Sequence, residues 1–574
     1  MEKFAPTWRQ AFAWTLALAC AGGVVARVLG SEAGGLEQVF CLSMLLAGAV
    51  LIGIPSGRPA FGLFICSVLM GFLIAANEIK SYYLHSPLML PDLRYAVDPQ
   101  TFDVLMHYRR AVRKGVILAI GGLLFVSLIW IWSGPSFWRG VVPRARRVSR
   151  QAIATVASFV VVALLVGPWG PFRSLHARQT WEFLTKADAN PLTAFFLSVS
   201  RMHVVLPDHD ASHLAKVDWT LPAMVPAVTS VKPDILAVLE ESTFPPRLLD
   251  MCDRAECDAA MFQPDAHTAA SGNLYVHTFG GATWTSEFAF LAGLPHTLFG
   301  PAGIYAPYNL APRLRTSLPR VLKARGYRTV GIYPISRDFG NAGNAYAAYG
   351  FDALYDAGDL NLRWESPDTE FASHVEEIWK HEREIANGAP LFVFALTMRQ
   401  HGPHADPLES LPPPFDHALF PNADEATNLA LGNYLARLHQ SDEAMKQFEH
   451  LVLGSGRPGV LLHFGDHQPS FDGLELRLPK HAPPDMMERA FSFTYFMLKS
   501  TPDPAEPRPA QRFVDVAFLP GLLLQAAQLD PGPYFAANIR LREMCEARFD
   551  LCTHEELLQS FYAEVFDRQG VLGP

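Results

Sequence analysis

Five apolar runs crowd the first 168 residues, and they decide what this chain can fold into. They cover roughly 10–29, 38–55, 59–77, 115–133 and 152–168. A bilayer is crossed by a helix of about 20 apolar residues, so each run is long enough, or nearly so. In hydrocarbon the backbone must satisfy its own polar groups, which makes helices the expected form. Lys3 and Arg9 precede the first run as they would in a cleaved export signal. Four more runs follow it, so an uncleaved first helix is expected. The chain has 574 residues, is 50% hydrophobic and only 18% charged, against about a quarter charged in ordinary domains. That profile predicts a membrane part with a soluble part attached. A net charge of -9 argues against a nucleic-acid partner.

The loops between the runs predict an orientation. Residues 133–150 hold five arginines and no acidic residue, which reads as cytoplasmic. The 30–38 loop holds Glu32 and Glu37 and no cation, which reads as external. The 78–114 loop is mixed, with a basic cluster at Arg109, Arg110, Arg113 and Lys114. Five spans with the arginine-rich loop inside place residues 170–574 outside the cytoplasm, periplasmic or extracellular, with the chain multi-pass in the cell (inner) membrane. Cysteine usage agrees. Outside the runs there are two close pairs, Cys252 with Cys257 and Cys545 with Cys552, as expected of local disulfides in an exported domain.

Three segments are expected: a transmembrane domain over 1–168, a connecting segment over 169–230 with a Pro-dotted end (LPAMVPAVTSVKP), and a large domain over 231–574. In the last, DILAVLEES, RTVGIYPIS, PLFVFALTM, GVLLHFGDH and FSFTYFMLK read as strands. Between them TSEFAFLAGL, LPRVLKARGY, EFASHVEEIWKHEREIA and NLALGNYLARLHQSDEAMKQFEHLVL read as helices. Such alternation predicts an α/β fold with a largely parallel sheet and helices on both faces. Ligands in such folds gather at the carboxyl ends of the strands.

Three of those ends are polar. One carries Glu240, Glu241 and Ser242, a second runs into Arg399, Gln400 and His401, and a third ends in Asp466 and His467. A helix start at Gly280-Gly281-Ala282-Thr283 adds hydroxyls at Thr283, Thr285 and Ser286. Oxygen ligands with one imidazole suit Mn²⁺, Mg²⁺ or Zn²⁺. An ion of that kind would activate a coordinated hydroxyl as a nucleophile, and a helix N-terminus would stabilise an anion beside it. Together these are the parts of a phosphoryl- or sulfuryl-transfer site. By local rules alone Thr283 is a helix cap, only one of Glu240 and Glu241 needs to face the site, and His401 is as readily a loop residue. The stretch PDHDASH, with Asp208, His209, Asp210 and His213, has metal-like spacing but reads as a solvated turn. His404 and Asp406 read as loop residues.

Several spans followed by strand–Glu-Ser, Gly-x-Thr-x-x-Ser-Glu-Phe and Gly-Asp-His resemble the lipoteichoic acid synthase-like sulfatases of the alkaline phosphatase superfamily. NEIKSYYLHSPLMLPDL, SLPRVLKARGYRTVGIY and RFVDVAFLPGLLLQAAQLD extend the resemblance over nearly the whole chain. It implies five transmembrane helices followed by an alkaline phosphatase/sulfatase-like α/β/α sandwich. It also implies one divalent metal, most readily Mn²⁺, held by Glu241, Thr283, Asp466 and His467, with Thr283 as nucleophile and His401 on the substrate phosphate. Spacing within the family favours Thr283, since Glu287, Phe288 and Gly293 stand four, five and ten residues beyond it. The activity implied is transfer of glycerol phosphate from phosphatidylglycerol to an envelope glycan or polymer through a phospho-threonine. Where such synthases carry Phe-Trp-Asn-Arg, this chain has Phe339-Gly340-Asn341-Ala342, so that Arg is missing, and Arg337 is the candidate substitute. QHGPH around His401 is closer to phosphoethanolamine transferases, which instead have Asp-His-Gly-Glu-Ser where this chain has Asp466-His467-Gln468-Pro469. Phosphoethanolamine transfer is therefore the alternative, and a catalytically silent binding or regulatory protein is the alternative of another class. No Cys/Ser-x-Pro-x-Arg stretch is present, which argues against sulfate esters.

Overall fold

The structure is a computed structural model describing residues 8–96, 101, 109–134, 144–177, 189–198, 203–214, 216–221, 231–363, 366–474, 481–482, 484–504 and 510–573. Its chain contacts divide into two units, Met1–Met202 and His203–Pro574. Much of the arginine-rich loop and of the Pro-dotted connector lies outside the described residues.

Among the described residues, four helices of the first unit are long and apolar enough to cross a membrane: Trp8–Ser31, Gly35–Ser56, Pro59–Leu84 and Ser149–Val166. They match four of the five expected spans. The remaining run, 115–133, falls almost wholly in the helix Arg109–Trp132, whose described apolar stretch, Ile120–Trp132, is shorter than a span. The second and third helices pack closely at Gly62, where a Cβ would lie 2.5 Å from the Ala49 carbonyl oxygen. Small residues permit such an approach where lipid gives no hydrophobic drive for helices to associate. Just after the first helix, buried Glu32 accepts hydrogen bonds from Leu192 N (2.8 Å) and Thr193 Oγ1 (2.7 Å). It thus caps the short helix Pro191–Ser198 and satisfies its leading N–H groups.

The second unit is built on an eight-stranded sheet. Its strands are β1 (Asp234–Glu240), β2 (Thr268–Tyr275), β3 (Arg328–Ile332), β4 (Ala353–Tyr355), β5 (Leu391–Leu396), β6 (Gly459–Gly465), β7 (Phe493–Thr501) and β8 (Gln511–Asp515). Their order is β4-β3-β5-β1-β6-β7-β2-β8. Among these strands β7 alone runs against the others, antiparallel to β6 and β2. The central strands β1, β5 and β6 are buried along their full length, as parallel strands covered on both faces must be. Alternation along β1 divides the core. Ile235, Ala237 and Leu239 pack with the helices Trp284–Ala292 and Leu519–Ala526, and Leu236 and Val238 with Asp368–Ala386 and Glu425–Leu453.

Strands β2, β4 and β8 were not legible in the sequence. β2 reads TAASGNLY, poor in branched residues, and owes its form to its neighbours. Gly272 (φ 150°) lets that backbone approach β8, where a Cβ would lie 2.1 Å from the Gln511 carbonyl oxygen. Both expected disulfides are present, Cys252–Cys257 and Cys545–Cys552, with Cα separations of 5.7 and 5.3 Å.

Candidate active site

The centre forms where β1 and β6 end side by side. Glu240 pairs with Gly465, and Asp466 N donates to the Glu240 carbonyl (3.2 Å). The next residues, Glu241, Asp466 and His467, are therefore delivered together at one edge, each 2% exposed or less. Alternation sends Glu240 to the other face. There it is buried, its Oε2 has no partner, and burial with the nearby charges of Asp368 and Asp442 pushes its carboxyl well up.

The helix Trp284–Ala292 starts at this edge, and the three hydroxyls of its start take different partners. Thr283 Oγ1 donates to Glu241 Oε2 (3.0 Å) and lies 3.4 Å from His467 Nε2. Thr285 Oγ1 donates back to the Ala282 carbonyl (2.8 Å). Ser286 Oγ donates to the Asp466 carbonyl (2.7 Å), tying the helix to β6. Thr283 makes no side-chain cap of its own helix. It is free to face the carboxylates because Ala282 before it takes φ 62°. Ser242, after Glu241, likewise takes φ 49°. Each non-glycine residue in this region costs about 1–3 kcal/mol, and such strain clusters at functional sites.

Two carboxylates meet here with little to neutralise them. Asp466 Oδ1 accepts from Ser242 N (2.7 Å) and His467 N (2.6 Å). Its Oδ2 is buried without a hydrogen bond, 3.2 Å from His467 Nε2. Burial, with the Glu241 charge beside it, pushes the Asp466 carboxyl well up. Glu241 resists its own burial, because the charges of His467 and His401 and hydrogen bonds from Ser242 and Thr283 bring its carboxyl below the usual range. Burial lowers His467 against the Glu241 charge, which raises it. His467 Nδ1 lies 3.1 Å from the Gln468 carbonyl. That contact assigns the proton to Nδ1 and turns the Nε2 lone pair toward the carboxylates.

The ligand atoms of Glu241, Asp466 and His467 lie within 4.8 Å of one another. An orphaned carboxylate oxygen, a repelling partner and an aimed lone pair are what a divalent ion satisfies, and the donor set fits one. His401 stands at the rim, half-buried, where its charge acts on both Glu241 and His467. Arg437 Nη1 holds the His401 carbonyl (2.9 Å). Sequence reasoning missed Arg437 and the roles of Ser242, Ser286 and Gln468, since each acts through a neighbour that only the fold supplies.

Other candidates take structural places. Arg337 is bound to Asp356 (2.7 Å) and to Asp359, so its guanidinium is already engaged. Asp210 caps a single turn by accepting from Ser212 N (2.8 Å), and His209 pairs with Asp567 (3.2 Å); PDHDASH gathers no metal-like group among the described residues. His404 lies in a loop, as expected, and is buried there against Tyr434 and Phe471. Asp406 pairs with Arg437 (3.2 Å).

The resemblance to the sulfatase-like proteins holds: residues 259–529 match the family model described as Sulfatase. An uncharacterized protein of Haemophilus influenzae is 28% identical over 510 residues, covering 86% of this chain and 88% of its own. A Rhizobium meliloti protein described as a putative cyclic beta-1,2-glucan modification protein is 25% identical over 68% of this chain and 61% of its own. Among solved structures, the phosphoglycerol transferase GacH of Streptococcus pyogenes, in complex with sn-glycerol-1-phosphate, superposes with TM-score 0.48 at 14% identity. It covers 65% of this chain and 99% of that one. The lipooligosaccharide phosphoethanolamine transferase EptA of Neisseria meningitidis gives 0.43 at 12%, over 85% and 87%.

Proposed function

We propose that the protein is a membrane-anchored, metal-dependent phosphotransferase that moves glycerol phosphate from phosphatidylglycerol to an envelope glycan or polymer. The observation carrying this reading is the Thr283 hydroxyl, 3.0 Å from Glu241 and 3.4 Å from His467, on a helix N-terminus beside an orphaned Asp466 oxygen. Glu241, Thr283, Asp466 and His467 would hold one divalent ion, for which Mn²⁺ is the choice. When bound, such an ion supplies a lowered hydroxyl pKa and charge stabilisation on phosphoryl oxygens.

The chain's own groups do the remainder. Thr283 Oγ1 attacks the phosphorus, and Glu241 Oε2, which already accepts its hydrogen bond, takes the proton. A P–Oγ bond forms and the bond to the diacylglycerol oxygen breaks in line, leaving glycerol phosphate esterified to Thr283 and, after protonation, releasing diacylglycerol. The leading end of the helix Trp284–Ala292 favours the phosphate anion. His401 contacts the same phosphate from the rim. In the second displacement an acceptor hydroxyl attacks phosphorus and loses its proton to solvent, the P–Oγ bond breaks, and Glu241 returns its proton to Oγ1, restoring Thr283. The disulfides Cys252–Cys257 and Cys545–Cys552 suit an oxidising compartment, where an outer-leaflet donor is met.

The full-length protein is assayed in vesicles with Mn²⁺ and labelled phosphatidylglycerol or, separately, phosphatidylethanolamine. Diacylglycerol released from phosphatidylglycerol and phosphate on Thr283 are expected. Release from phosphatidylethanolamine alone overturns the donor, and Mn²⁺ binding without phosphate on Thr283 from either lipid overturns the enzyme in favour of a silent binding protein.

A further inference from the structure

A second buried ionisable cluster lies behind the nucleophile rather than at it. His277 Nε2 is 3.0 Å from Asp515 Oδ1, and His277 Nδ1 is 3.2 Å from Asp550 Oδ2. The His277 and Asp515 side chains are 2% and 0% exposed. A neutral imidazole has one N–H and can satisfy one carboxylate; a ring flanked on both sides carries a proton on each nitrogen. Burial alone would lower this group, but the two carboxylates outweigh it and push His277 up to about 10. The other groups facing the cluster are His296, whose ring centroid is 6.1 Å from that of His277, Tyr275 at 5.2 Å, and Arg489, which donates to Tyr275 Oη and whose charge acts on Asp550. Tyr562 feels the Asp550 charge from the C-terminal helices.

The three residues come from three separate places. His277 opens the turn that links β2 to Thr283. Asp515 ends β8 and also accepts from Ala517 N (3.0 Å). Asp550 lies inside the loop closed by Cys545–Cys552, and that loop is bound to β8 through Asp515 N and the Ala547 carbonyl (3.0 Å). Between His277 and Thr283 the backbone is irregular. It is held by Gly280 N on the Gln468 carbonyl (2.9 Å) and by Thr278 Oγ1 on the Gly281 carbonyl (2.6 Å). Both of those anchors are local to the turn or to β6. The His277 pair ties its start to the C-terminal elements through side chains, beside the backbone ties of Tyr275 to Asp515 and of Val276 N to the Ser492 carbonyl (2.9 Å).

We propose that His277 is a positioning residue, clamped as an imidazolium between Asp515 and Asp550 so that the turn presents Thr283 to Glu241, and that the Cys545–Cys552 bridge serves this clamp by holding Asp550 in place. The proposal rests on Thr283 being the nucleophile.

The test uses the full-length protein in phosphatidylglycerol vesicles with Mn²⁺. Amide exchange over 276–283, read by mass spectrometry, reports the turn without any chemistry. In His277→Gln and Asp550→Asn it is expected to quicken about tenfold or more, as for a segment released to local opening. The kcat for diacylglycerol release is expected to fall about ten- to a hundredfold with KM unchanged, the size of effect a misplacement near 1 Å has. Asp550→Glu restores both. Asp550→Asn combined with Cys545→Ser and Cys552→Ser is no worse than Asp550→Asn alone. A single cooperative thermal transition in each variant shows that it is folded. Unchanged exchange and kcat in His277→Gln overturn the clamp. So does a second equivalent of metal in the wild type that His277→Gln loses, since the cluster would then be a metal site. If the wild type releases no diacylglycerol, the function assigned above fails while the exchange result still decides the clamp.

Discussion

Asp466→Asn should make the metal-free protein more stable and the metal-loaded protein less so. Asn keeps Oδ1, and with it the bonds from Ser242 N and His467 N (2.7 and 2.6 Å). It replaces the orphaned, fully buried Oδ2 with an amide facing the His467 Nε2 lone pair 3.2 Å away. Without a metal, the folded state raises the Asp466 carboxyl well above its unfolded value near 3.9 through burial and the Glu241 charge. The unfolded chain therefore sheds its proton first as pH rises, and the fold loses stability from about pH 4 upward. Every tenfold difference in proton affinity between the folded and unfolded chains costs about 1.4 kcal/mol. Removing a cost of ~1–2 kcal/mol should raise the apparent Tm in EDTA by ~1–3 °C. With Mn²⁺ at a hundred times its Kd the wild type gains about 2.7 kcal/mol. A variant weakened about a hundredfold, the upper range even for loss of an outer partner, keeps about 0.4 kcal/mol of that gain at the same concentration. Thermal melts of both proteins, with EDTA and with Mn²⁺, should therefore cross. A variant that melts lower than wild type in EDTA, yet shifts equally with Mn²⁺, would falsify the paired-carboxylate argument.

Three further outcomes follow from the same geometry. Thr283→Ala should keep only the part of the Mn²⁺-dependent stabilisation that Glu241, Asp466 and His467 supply, and should abolish phosphate transfer to the protein, read by intact mass after incubation with phosphatidylglycerol; a phosphorylated Thr283→Ala protein would point to another nucleophile. Glu287 is buried, and burial with the Glu241 charge outweighs the Tyr346 hydroxyl to push its carboxyl to about 7. Stability is therefore lost as pH rises from about 4.5 to 7, by at most ~3 kcal/mol; Glu287→Gln should flatten that part of the Tm–pH curve in EDTA, and an unchanged slope refutes the assignment. Phe290 packs between Phe394 and Phe464 with ring centroids 5.6 and 5.0 Å away, so Phe290→Ala should cost ~3–5 kcal/mol, and a loss under ~1 kcal/mol in a denaturant melt would mean the helix is seated by other contacts.

The sequence by itself determined the elements whose cause is local. Apolar length makes membrane helices, and four of the expected runs are such helices among the described residues. Continuous apolar runs make buried parallel strands, so β1, β5 and β6 were legible, and with them the polar residues at their ends. Close cysteine pairs left little choice of partner, and both form. The tertiary structure decided what depends on neighbours. β2 is too poor in branched residues to announce itself, and becomes a strand because β7 and β8 flank it. Glu240 and Glu241 are the same chemistry in one strand end; pleat alternation gave one to the core and the other to the site. Three hydroxyls began one helix alike. Thr283 alone reaches a carboxylate, because Ala282 takes a left-handed backbone and Ser286 is spent on the Asp466 carbonyl. The Arg337 guanidinium, open in the sequence, is taken by Asp356 and Asp359. The clamp at His277 joins residues 238 and 273 positions apart, a distance over which no local rule acts and only the packed sheet brings charges together.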